Sequence, residues 1–350
     1  MGNRFICMSK KNDTKELRSK SKRMMGRSNR KLLEEDDTAA LHRRALSMAI
    51  QQHQYSQRFD NGGSMSRRVG STSKRRTLSD PFSNSKQAAD FLESLKVKRI
   101  VLIHGEGFGA WCWYKSIALL EESGLLPDAL DLSGSGIDTT DTNSVSTLGD
   151  YSKPLISYIE DLPDDEKVIL VGHGCGGAAV SYAMEQFPQK IFKAIFVCAT
   201  MVSSEQRPFD VFIEELGSAE NFMKDSQFLI HGKGSDNPPT SFKLEKQHMK
   251  ALYFNQSPAK DIALAMVSMR PVPLGPIMEK LSLSPEKYGA VRRYFIQTLD
   301  DRALSPDVQE KLVRENTPEG VYKIKGSDHC PFFSKPQSLH KILLEIIQIP

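Results

Sequence analysis

Lys167-Val168-Ile169-Leu170-Val171-Gly172-His173-Gly174-Cys175-Gly176-Gly177 is the segment on which the fold turns. It opens with a short apolar, β-branched run, the pattern of a buried strand. It passes through closely spaced glycines into Ala178 and Ala179, where a helix is expected to run on through Phe187. A strand, a tight glycine turn and a helix in that order form the frame of a nucleophile elbow, G-x-S-x-G, whose strained turn lifts a reactive side chain above the sheet. The frame lacks only its centre: Gly174 stands where the pattern has Ser.

Toward the N-terminus, Lys98–Ile103 reads as another buried strand, running into the turn His104-Gly105-Glu106-Gly107-Phe108-Gly109 and a helical stretch to Glu122. Asp128–Leu132 is a further strand, and Tyr151–Leu162 carries helical spacing. Lys193–Cys198 follows the elbow helix as a fourth strand. Strands alternating with helices imply a mostly parallel sheet flanked by helices, with right-handed crossovers. Ligands of such sheets lie beyond the carboxyl ends of the strands, which places a site between 104–109 and 172–177. A phosphate cradle is not expected: the glycines at 105, 107 and 109 miss the GxGxxG spacing, and no GxxxxGKS/T segment occurs.

Toward the C-terminus, Ala290–Thr298 is a strand ending at Leu299-Asp300-Asp301. Val321–Ile324 is the last strand, ending at Gly326-Ser327-Asp328-His329, with a closing helix Pro336–Ile347. Nucleophile position, acid and His in that chain order are the order of an α/β-hydrolase fold. Strand–helix alternation stops between the fourth strand and the acid strand. Residues 202–286 read as a helical cap, with helical stretches at Asp210–Ala219, Ser241–Tyr253 and Ala259–Met269. Phe222, Phe228, Phe242, Leu252, Phe254, Met266 and Met269 are its candidates for lining an apolar pocket.

The chain has 350 residues and a net charge of +4, with 39% hydrophobic and 26% charged residues. The charge is unevenly spread. Residues 1–90 carry 20 Lys+Arg and 9 Asp+Glu, a net of +11, and residues 91–350 carry 27 and 34, a net of −7. Residues 1–95, rich in Ser, Arg, Lys, Asn and Gln, bury too little to offset chain entropy and read as a disordered basic leader, with one marginal helix at 38–54. Three readings of the leader stand side by side. It is a plastid transit peptide, although Glu34-Glu35-Asp36-Asp37 is acidic for one. It is a membrane-surface anchor acylated at Gly2 and Cys7, although Ile6 departs from the myristoylation pattern. Or it is a solvated basic arm. A nucleic-acid partner is not expected, since only Tyr55 and Phe59 accompany the basic clusters. No run of about 18 apolar residues occurs, so no membrane-spanning helix is expected. The five cysteines, Cys7, Cys112, Cys175, Cys198 and Cys330, form no CxxC pair, which points to a reducing compartment. No cluster has metal-ligand spacing, so neither metal nor cofactor is expected.

From about Lys98 to Pro350 the sequence resembles the plant methylesterases, α/β-hydrolases related to hydroxynitrile lyases. The resemblance rests on HGEGFGAWCWYK (104–115), ALDLSGSGID (129–138), DYSKPL (150–155), EKVILVGHGCGG (166–177) and GSDHCPFFSKP (326–336). It implies a hydrolase domain over 96–350 that cleaves methyl esters of small hormones such as indole-3-acetate, jasmonate or salicylate. The expected partner is a small-molecule ester or its acid. By position, Asp301, eight residues before Gln309, is similar to the family's acid and His329 to its base. Glu106 and Cys175 match the two oxyanion-hole positions, acting through backbone N–H. The long basic extension resembles that of a plastid-targeted subgroup.

The family nucleophile aligns with Gly174. Removing a triad nucleophile costs about 10⁶-fold in turnover and leaves roughly 10³–10⁴ over water. Three outcomes stay open: a thiol substitute at Cys175, a water activated by His329, and a pocket that binds without catalysis. His104 is expected to hydrogen-bond backbone and hold its loop, His173 to pack beside the elbow, and His231, His248 and His340 to lie at the surface or in caps.

Overall fold

The computed structural model describes residues 92–216, 229–243 and 245–350. The stretch 38–54, Gly2, Cys7, Phe222 and Phe228 lie outside the described residues. In chain order the domain begins with β1 (Arg99–Ile103), α1 (Tyr114–Glu122), β2 (Leu126–Leu130), α2 (Leu148–Glu160), β3 (Val168–His173), α3 (Gly176–Gln186) and β4 (Ile191–Val197). The cap follows as α4 (Pro208–Leu216), β5 (Leu229–Ile230), β6 (Ser241–Phe242), α5 (Lys246–Leu252), α6 (Ala259–Ser268), β7 (Val272–Pro273) and α7 (Leu274–Met278). It closes with β8 (Arg293–Thr298), α8 (Pro306–Glu315), β9 (Gly320–Ile324), α9 (Pro331–Ser334) and α10 (Pro336–Gln348).

Six strands form a parallel sheet in the order β2-β1-β3-β4-β8-β9. The central strands are covered on both faces, which is why their sequences are continuous apolar runs. Alternate residues serve opposite faces: Val101, Ile103, Leu170 and Phe196 enter one core, and Ile100, Leu102, Ile169 and Val171 the other. Lys193, on β4, is also buried. Its Nζ donates to the carbonyls of Ile346, Ile347 and Ile349 at the end of α10, where a cation satisfies the free acceptors of a helix C-terminus.

Three expectations shift. The second strand lies at 126–130, two residues earlier than Asp128–Leu132, because an edge strand tolerates Pro127 at its start. The domain begins before 96, since Leu92 and Leu95 already pack on the core under α1. The cap is not purely helical: Ser241–Phe242 pairs antiparallel with β5 and β7, so the expected helix Ser241–Tyr253 shrinks to Lys246–Leu252. Two-residue strands are too short to leave an alternating pattern.

Candidate active site

The elbow is built at the end of β3. Gly174 has φ +50°, the left-handed region that glycine enters without penalty. Its carbonyl accepts from the N–H of Gly177 at 3.1 Å and of Thr200 at 3.0 Å, which locks the turn. α3 then packs with a fully buried small-residue face, Gly176 to Ala179. Gly176 leaves no room for a side chain, since a Cβ there would stand 2.4 Å from the carbonyl oxygen of His104. His104 holds the facing loop: Nδ1–H donates to the carbonyl of Gly105 at 2.7 Å and Nε2 accepts from Leu132 N–H at 3.1 Å.

Asp301 and His329 meet across strand ends. Nδ1 of His329, beyond β9, lies 2.8 Å from Oδ2 of Asp301, beyond β8. Asp301 is held from every side. Its Oδ1 accepts from Ala303 N–H (2.9 Å) and Leu304 N–H (2.8 Å), and its Oδ2 from Thr298 Oγ1 (2.9 Å) and Gln309 Nε2 (3.3 Å). Asp300, the neighbouring carboxylate that sequence left open, turns outward and accepts from Gly326 N–H. Burial opposes the charge on His329, but Asp301 overrides it and raises the imidazole well above its ordinary value.

The side chain of Glu106 is the feature that sequence reading missed, having assigned this residue a backbone role only. Its carboxylate is buried, 1% exposed, in the centre of the site. Oε2 accepts from Cys175 N–H at 2.9 Å, and Oε1 accepts from Tyr253 O–H at 2.6 Å. Nε2 of His329 stands 3.7 Å from Oε1, beyond hydrogen-bond range, and has no hydrogen-bond partner among the described residues. Burial would raise the Glu106 carboxyl, yet the charge of His329 and the donor from Tyr253 bring it well below the ordinary carboxylate range. Tyr253, at the end of α5, also packs edge-on to His329, with ring centroids 4.8 Å apart. Nothing in its local sequence marks it; the cap brings it in.

Cys175 places its N–H in the site and packs its side chain with Phe242 and Val272 of the cap. Burial, then the Glu106 charge, push its thiol well above the ordinary range, so it is protonated and unsuited to replace an oxygen nucleophile. His173 donates from Nε2 to the carbonyl of His329 at 2.7 Å, and burial lowers it to about 3. Among the described residues, His173, Cys198 and His329 bring potential metal-ligand atoms within 4.8 Å of one another. Cys198 donates to the His329 carbonyl, and burial raises its thiol to about 11, away from the thiolate that a metal requires. Of the expected pocket lining, Met266 and Met269 bound a cavity of about 30 Å³ with Met249 and Val272. Phe254 packs instead on Phe108, at 6.0 Å.

The alpha/beta hydrolase family model matches residues 100–341. An Arabidopsis thaliana protein named "Putative methylesterase 12, chloroplastic" is 72% identical over 356 residues, covering 100% of both chains. Methyl jasmonate esterase 1 of Vitis vinifera is 38% identical over 254 residues, 72% of this chain and 97% of that protein. The crystal structure of a methylesterase from Arabidopsis superposes with a TM-score of 0.65 at 34% identity, over 73% of this chain and 100% of that one. The chain is a member of the methylesterase family of α/β-hydrolases.

Proposed function

We propose that the site binds a small neutral methyl ester and that hydrolysis uses a water in place of the missing serine. The observation that carries this reading is the buried His329–Asp301 pair, 2.8 Å apart, next to the elbow N–H of Cys175. In this mechanism Asp301 orients the imidazole and Nε2 takes a proton from water. The hydroxide adds to the ester carbonyl, and the N–H groups of Glu106 and Cys175 stabilise the oxyanion. Collapse expels methoxide, which recovers the proton from His329, giving acid and methanol. Methyl indole-3-acetate, methyl jasmonate and methyl salicylate are the substrates to try first; a relative named for methyl jasmonate supports that class.

The neutral ester is favoured over the free acid, because a second carboxylate would face the buried charge of Glu106. The same charge supports a second reading, binding without turnover, since Oε2 already holds the Cys175 N–H that the ester carbonyl would need.

Purified full-length protein assayed against the three esters, beside His329→Ala, separates the readings. Hydrolysis lost in the variant supports water attack. Thermal stabilisation by ester without methanol release supports the binding module. Residues 1–91 are proposed to direct the chain to plastids, as the name of the 72%-identical relative suggests. Fluorescent fusions with and without that segment test this, and a Gly2→Ala version tests membrane anchoring.

A further inference from the structure

We infer that Glu106 and Gly174 form one steric unit, in which the Glu106 carboxylate occupies the place of the nucleophile side chain and the glycine provides its room. The inference rests on the hydrolase reading of the elbow and identifies what fills its centre. A Cβ built on Gly174 would stand 2.6 Å from Oε2 of Glu106 and 3.4 Å from its Cδ. Any side chain at 174 therefore points into the carboxylate. The carboxylate is held there by Cys175 N–H at 2.9 Å and Tyr253 O–H at 2.6 Å. It is 1% exposed, and a buried anion leaves such donors only where replacements exist.

Two consequences follow. The ester carbonyl and Glu106 compete for the same N–H, so binding at the floor requires the carboxylate to withdraw. Restoring the serine alone does not restore a serine esterase, because serine and Glu106 claim the same space.

The test is a stability series in the full chain. Gly174→Ser is made with Glu, Gln, Asp and Ala at position 106, and each melting temperature is compared with its Gly174 parent. The cost of φ +50° for a non-glycine residue is common to all four pairs and cancels. Glu and Gln fill the space equally, Asp is one methylene shorter, and Ala vacates it. The loss on introducing Ser should be largest with Glu or Gln, smaller with Asp and smallest with Ala, with about 4 °C or more between the extremes. The graded series still decides if the Glu106→Ala parent fails to fold. Equal losses across the folded parents overturn the inference.

Hydrolysis of 4-nitrophenyl acetate by the same proteins tests the catalytic reading separately. Graded losses with no hydrolysis by Gly174→Ser/Glu106→Ala keep the steric unit and sink the esterase machinery. Hydrolysis by Gly174→Ser alone at the rate of the double variant overturns the inference.

Discussion

Nε2 of His329 stands 3.7 Å from Oε1 of Glu106, with both side chains buried and no hydrogen bond between them. The other nitrogen of the ring lies 2.8 Å from Asp301, so the imidazole is flanked by two carboxylates. Among the described residues, the thiol of Cys198, the neutral His173 and the ring of Tyr253 also face it. Burial disfavours the imidazolium, but the Asp301 charge prevails and raises the ring well above 6.5. A protonated ring cannot accept a proton from water. Any ester hydrolysis should therefore increase as pH rises beyond the ordinary histidine range, with no inflection near 6.5. In Glu106→Gln the rising limb should move to lower pH. Rate profiles and nitrogen-15 NMR of the ring check both.

The two ionic partners both stabilise the fold, and their contributions are lost on opposite sides of the pH range. A raised imidazole binds its proton more tightly in the folded state, so its contribution is full below about 6.5 and is lost as pH rises through the folded value. The lowered Glu106 carboxyl contributes above about 4.5, and that contribution is lost as pH falls through its folded value. Denaturant midpoints across pH should thus fall on both flanks. Glu106→Gln should remove the acid-side loss attributable to this group. An unchanged acid flank in that variant would show that Glu106 is not ionised where it sits.

Asp301→Asn keeps the shape and removes the charge. Two backbone donors, the Thr298 hydroxyl, Gln309 and His329 converge on this carboxylate. The amide that replaces it presents an N–H to at least one of these donors. Loss of a partner from a buried ionic network costs about 3 kcal/mol. A urea midpoint reduced to match is expected, together with a fall in the His329 pKa. Retention of the raised imidazole would show that the Asp301 charge is not its cause.

The elbow, the chain order of Asp301 and His329, and the cap were legible because each leaves a local mark. Glycines sit where a side chain would collide, apolar runs lie between turns, and Asp301 and His329 end strands. The role of Glu106 was not legible. Its neighbours give it a backbone position in a loop, and only the folded chain shows its carboxylate reaching across to Gly174, 68 residues away in sequence. Tyr253 was hidden for a related reason, since its hydroxyl reaches Glu106 over a separation of 147 residues. The small cap sheet left no alternation to read. At the elbow centre, a glycine in a motif shows which side chain is missing and not which group lies beside it.

Tyr253→Phe removes one hydroxyl and keeps the ring that packs on His329 at 4.8 Å. Glu106 Oε1 then loses its 2.6 Å donor while remaining buried. Hydrogen bonds to buried charged groups contribute roughly 1.5–3 kcal/mol, so thermal and urea midpoints should both fall. The carboxylate is also freer to leave the elbow. Introducing Ser at 174 should therefore cost less in the Tyr253→Phe background than in the parent. A stability loss without that relief would show that Cys175 N–H alone fixes the carboxylate.

Gly176→Ala provides the contrast that separates a movable obstacle from a fixed one. At 174 the obstacle is the far end of a glutamate. At 176 it is the main-chain carbonyl of His104, 2.4 Å from the added carbon, with the Ile103 carbonyl 3.1 Å away. β1 cannot retreat, because it pairs with β2 on one side and β3 on the other. The helix cannot lift without tearing the turn, in which Gly174 O accepts from Gly177 N–H and Thr200 N–H. Alanine is the better helix former by nearly 1 kcal/mol, yet overpacking costs about 1–3 kcal/mol, and the upper end applies where the obstacle is backbone that cannot retreat. The steric cost prevails, and Gly176→Ala should unfold at a markedly lower temperature than Gly174→Ser. Thermal unfolding followed by circular dichroism measures both, and equal midpoints would mean that the elbow yields as easily at its helix as at its tip.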